Sequence, residues 1–117
     1  MKSQAPLYNL EFLNQVYNSD NEIIEQIKQI FLENIPKYID DLTHALVRQN
    51  WSEVSFTAHK IKSSIRLFNI TEIIDEVVQL EQYSKAMTEL ETLPAKIEYI
   101  IRVLKDVEIE MKKNLND

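Results

Sequence analysis

Apolar residues recur along this chain at intervals of three and four, the period of helices with one buried face. No segment alternates apolar and polar as a half-buried strand does. Residues 10–17 form a short first helix, with Leu10, Leu13 and Val16 or Tyr17 turned inward. A capping box over Ser19 to Glu22 starts the second helix near Asp20. Its apolar positions are Ile23, Ile24, Ile27, Ile30, Phe31, Ile35, Ile39, Leu42 and Leu46. Pro36 falls inside this pattern and predicts a kink rather than a break. Asn50, three residues before Glu53, caps the third helix. That helix buries Val54, Ala58, Ile61, Ile65 and Phe68, and Asn69 closes it, because asparagine tolerates the left-handed conformation of a helix exit. Thr71 opens a fourth helix with Ile73, Ile74, Val77 and Leu80 inward. Residues 83–88 read as a loop. A last helix runs to Lys113 with Ile97, Ile100, Ile101, Leu104, Val107 and Met111 inward, and Pro94 leaves its start open. Four long amphipathic helices joined by short turns predict an all-α fold, an antiparallel four-helix bundle with the short additional helix covering one end. A single domain is expected over residues 1–117, with a helical core at about 8–113.

Composition narrows the chemistry. The chain has no glycine, so it offers no glycine-rich loop for phosphates or dinucleotides. It has no cysteine, which removes disulfides, thiolate metal sites and cysteine nucleophiles. Its formal net charge of -6 disfavours a nucleic-acid partner. No apolar run reaches the length of a membrane span, and the opening residues 1–6 lack the apolar core of a signal peptide. A soluble cytoplasmic domain is expected, one that needs no partner copy to form its core and is therefore a monomer.

The third helix carries the distinctive residues. Residues three and four apart on a helix are neighbours, so Ser55, His59, Lys62, Ser63 and Arg66 share one polar stripe. His59 lies off the apolar face, with a cation one turn away. Such an imidazole suits a general base, a metal ligand or a phosphoryl acceptor. A hydrolase would need an oriented nucleophile and an oxyanion hole, and Ser63 alone supplies neither. A metal site would need more ligands than His44 and Asp41 on the preceding helix, and the paired Glu-x-x-His signature of di-iron bundles is missing. Lys62 and Arg66 would also repel a metal ion. A phosphoryl acceptor fits best: imidazole is a good nucleophile at neutral pH, and a lysine one turn away stabilises the arriving anion.

The run His59-Lys60-Ile61-Lys62-Ser63-Ser64 resembles the His-x-Leu-Lys-Gly-Ser signature of histidine-containing phosphotransfer (HPt) domains. The resemblance spans residues 8–113. The stretch from Ile30 to Pro36 is similar to the family's apolar-Phe segment before a mid-helix proline, Ala45-Leu46 with Asn50-Trp51 to its helix end and turn, and Leu80-Glu81 to its Leu-Glu pair. Two departures stand out: Ser63 replaces the usual glycine four residues after the histidine, and Asn69 replaces a glycine at the helix end.

The resemblance implies a phosphorelay intermediate that takes a phosphoryl group from a receiver-domain aspartate and passes it to another receiver. His59 would be the phosphorylated residue, on Nε2. Lys62 would balance phosphoryl charge, with Lys60 as a second contributor. Ser63 would be the small neighbour that leaves room for the receiver and offers a hydrogen bond. Glu81 falls where the family places a hydrogen-bonding side chain from the next helix. Phe56, Ser55 and Arg66 would meet the docking receiver, with Phe12 and Leu13 on the first helix joining them. The domain would be a phosphocarrier rather than an enzyme. It would need no cofactor or metal of its own, since the receiver brings the Mg²⁺. Its expected partners are receivers of a hybrid histidine kinase and of a response regulator. The alternative is a module of the same fold that sequesters a receiver or regulator without transferring phosphate.

Overall fold

A computed structural model describes residues 6–115; residues 1–5 of the stretch weighed above as a signal peptide, and both ends of the 1–117 domain, lie outside them. The helices are α1 (Glu11–Val16), α2 (Asn21–Val47), α3 (Trp51–Leu67), α4 (Ile74–Ala86) and α5 (Leu93–Leu115). Short 3-10 turns, Thr71–Ile73 and Leu90–Thr92, lead into α4 and α5. α2 packs on α3 and α5, and α4 packs on the same two helices, which closes an antiparallel four-helix bundle.

Each long helix buries one stripe. On α2 the stripe is Ile24, Lys28, Phe31, Leu32, Ile35, Tyr38, Leu42 and Ala45. Ile23 and Ile30, expected inside, are exposed. The reason is phase: on a helix this long only one four-three-four-three row can face the core, and both residues sit one position before it. Lys28 takes a place in that row. Its stem is buried and its ammonium pairs with Glu25 Oε2 at 3.0 Å. Tyr38, also in the row, shares a 2.8 Å hydrogen bond with the Ser64 hydroxyl of α3. The helix runs through Pro36 without a break.

The ends follow local chemistry, with three corrections. The cap of α2 is Asp20, whose Oδ1 accepts from the backbone N–H groups of Glu22 and Ile23. Ser19, expected to open a capping box, stands at φ 59° instead. Val16 and Tyr17 are exposed, because α1 is too short to bury more than Leu13. Residues 83–86, read as loop, continue α4, where Ser84 is buried and its hydroxyl donates to the Leu80 carbonyl. Asn50 caps α3 as expected, accepting from Glu53 N–H, and Asn69 adopts φ 51°.

One end of the bundle is strapped. Leu7 N–H donates to Glu110 Oε2 at 3.1 Å, Asn114 Nδ2 donates to the Tyr8 hydroxyl at 2.8 Å, and Asn9 N–H donates to the Phe68 carbonyl at 3.0 Å. Beneath the strap Phe68 is fully buried, stacked on Phe31 and met edge-on by Tyr8.

Candidate functional site

The orientation of α3 follows from its core. Val54, Ala58, Ile61 and Ile65 are fully buried, so His59, directly after Ala58, is turned outward. Its side chain is 61% exposed. α4 lies alongside with Val77 and Leu80 fully buried, so Glu81, directly after Leu80, emerges at the seam between the two helices. The Ser55 hydroxyl, one turn before His59, donates to the Glu81 backbone carbonyl at 3.3 Å and ties the two helices there.

Glu81 gathers the site. Its Oε2 is 2.9 Å from His59 Nδ1, and its Oε1 is 2.6 Å from Lys62 Nζ. The Lys62 hydrogen bond holds the Glu81 carboxyl below its ordinary value. Partial burial opposes this, and the His59 hydrogen bond and the charges of both neighbours add to it. Glu81 is therefore ionised at neutral pH. An ionised carboxylate only accepts, so the proton of this contact sits on Nδ1. A neutral imidazole held this way carries its lone pair on Nε2, and no hydrogen bond engages that nitrogen among the described residues.

A model of the Hpt domain matches residues 26–111 of the chain, most of its length. This chain belongs to the Hpt domain family. Its role is histidine phosphotransfer in two-component signalling, in which the family acts with receiver domains. The fold agrees with the crystal structure of histidine-containing phosphotransfer protein B from Pseudomonas aeruginosa PAO1. That match has a TM-score of 0.82 over 95% of this chain and 96% of the other, at 21% identity. By sequence, no curated protein matches.

Within this Hpt domain the residues expected at the site divide. His59, Lys62 and Glu81 come together, although Lys62 reaches the carboxylate rather than the imidazole. Lys60 places its ammonium 4.7 Å from the Phe56 ring centroid, a cation–π contact, and so stands beside the site. The Ser63 hydroxyl donates to the His59 carbonyl, one turn back on its own helix. Ser55 is half-buried and spends its hydroxyl on Glu81, so it is a tie between helices more than a docking contact. Phe56 and Arg66 are exposed on α3. Phe12 is exposed on α1. Leu13, expected to join it in docking, is fully buried and unreachable, because it is the one core anchor of α1. Among the described residues no cluster of three or more His, Cys, Asp or Glu side chains is placed to hold a metal, and no helix is long and apolar enough to cross a membrane.

Sequence reasoning missed Met87, Lys85 and Ser84, which join Phe56 and His59 in lining an open groove of about 580 Å³. The signal that could have found it was the end of α4, which reading residues 83–88 as a loop concealed.

Proposed function

We propose that this Hpt domain accepts a phosphoryl group on His59 Nε2 from the aspartyl phosphate of a receiver domain and delivers it to the aspartate of a second receiver. The observation that carries this is an exposed imidazole whose Nδ1–H is held by an ionised carboxylate. In the transfer the Nε2 lone pair attacks phosphorus. The N–P bond forms, the acyl P–O bond breaks, and the receiver's aspartate leaves as a free carboxylate. The Nδ1 proton stays in place, and Glu81 offsets the positive charge that develops on the ring. Lys62, one turn from His59 and paired with Glu81, would balance charge on the phosphoryl oxygens, with Lys60 on α3 as a second contributor. The small side chain of Ser63 leaves the surface low where the receiver approaches. In this reading Mg²⁺ and the phosphorylated aspartate belong to the receiver, and the chain is a monomeric cytoplasmic phosphocarrier, active only together with its partners.

The test is incubation with a panel of aspartyl-phosphorylated receivers and Mg²⁺. The expected product is an acid-labile, base-stable label that disappears in His59→Gln. Absence of label across the panel, with receivers still bound, would point to the sequestering module instead. Label that persists in His59→Gln would remove His59 from its assigned role.

A further inference from the structure

The surface beside His59 holds more than phosphoryl chemistry requires. Met87 ends α4 at φ 57°, in the left-handed region, and is 59% exposed. Helices commonly exit there on glycine or asparagine, because a β-carbon is crowded in that conformation. The other described residues with positive φ are Asn18, Ser19, Gln49, Asn69 and Glu89, all polar. Met87 alone among these sets a flexible apolar side chain at such an exit, and methionine adapts well to apolar partners. Strain of this kind points to use when it borders a functional group. Here it does: Met87, Phe56 and His59 line the same groove, and Phe56 is also 59% exposed.

Charge gives the groove a sign. Its carboxylate, Glu81, is already engaged by Lys62 and His59. Its other charged lining residue is the exposed Lys85, and Lys60 sits over Phe56 at its edge. Two exposed apolar side chains and an exposed ammonium thus share one groove in a chain of net charge -6. His59 lines this groove, so a protein that brings an aspartyl phosphate to His59 sets its own surface against it.

We propose that Phe56, Met87 and Lys85 form a specificity pocket that takes an apolar side chain flanked by a carboxylate on the partner receiver. This rests on the phosphotransfer reading above and adds how the receiver is chosen.

Two variants and two donors test it. Met87→Gly removes the side chain and relaxes the left-handed exit, so the fold is kept, which thermal unfolding checks. Lys85→Glu reverses the charge. The donors are phosphoramidate, too small to span the groove, and the phosphorylated receiver that transfers fastest to the unmodified chain. With phosphoramidate, both variants are expected to label at the unmodified rate. With the receiver, the half-saturating concentration is expected to rise about tenfold, the effect of losing one well-packed contact. The Lys85→Glu effect is expected to shrink at high salt. Receiver-dependent transfer unchanged within twofold in both variants would overturn the pocket while leaving phosphotransfer standing. So would an equal loss with phosphoramidate, since the residues would then act on the imidazole itself. An unmodified chain labelled by neither donor would overturn the phosphotransfer reading, and the pocket with it.

Discussion

Replacing Glu81 with glutamine keeps the side chain's size and removes its charge. Glutamine cannot satisfy both neighbours as the carboxylate does. With its amide oxygen toward His59 Nδ1, its NH₂ faces the Lys62 ammonium, donor against donor, where the carboxylate oxygen now sits 2.6 Å away. With the amide reversed, Nδ1 must accept, the ring proton moves to Nε2, and the nucleophile is blocked. The Glu81 side chain is only 18% exposed, so water compensates little. Exchanging a charge-assisted hydrogen bond for a neutral one loses about 1–2 kcal/mol where charge develops on the ring. At about 1.4 kcal/mol per decade, that is a transfer slower by roughly 5–30-fold. The assay is the initial rate of label transfer from a phosphorylated receiver at saturating concentration, with ¹⁵N NMR of the imidazole reporting which nitrogen bears the proton. A rate within twofold of the unmodified chain, with the proton still on Nδ1, would refute the role given to Glu81.

Three further outcomes follow from the same geometry. Lys62→Ala is expected to slow transfer or shorten the phosphohistidine lifetime while leaving the bundle folded, because Lys62 lies off the core face of α3; an unfolded variant would show that Lys62 had been placed on the wrong face. Ile61→Ala removes a fully buried side chain and is expected to cost about 2–5 kcal/mol in urea denaturation, and an unchanged midpoint would contradict the packing of α3. The lowered Glu81 pKa fixes a sign for pH: the clamp's contribution is fully present above the ordinary value of 4.5 and is lost as pH falls through the depressed one. Unfolding of the unmodified chain and of Glu81→Gln is therefore expected to converge in acid, and parallel curves down to pH 2 would count against the clamp.

The helices were legible because each buries a stripe with a clear period, and the third was read almost residue by residue. The second was harder. Its isoleucines occur in adjacent pairs or neighbours of core positions, so composition alone does not choose between Ile23 and Ile24, or between Ile30 and Phe31. The row that wins includes Lys28 and Tyr38, whose polar tips disguise buried stems. His59 and Lys62 could be read from one helix. Their junction through Glu81, 22 residues beyond the histidine, depends on how α4 lies against α3, and only the family resemblance pointed to it. The groove was invisible for the same reason, since it joins the middle of one helix to the far end of the next.

The strap at residues 7–9 has a consequence for how the domain comes apart. Its hydrogen bonds reach Glu110, Asn114, Phe68 and Asn69, so the start of the described chain, the last turns of α5 and the end of α3 are tied at one place. Fraying at the two ends is then one opening event rather than two independent ones. Amide exchange in the last turns of α5 is expected to follow the seating of Leu7, Tyr8 and Asn9. A cut after Asn9 would remove the cover from the edge of Phe68 and leave Glu110 and Asn114 without their partners, lowering local stability at α5 and the α3 exit together.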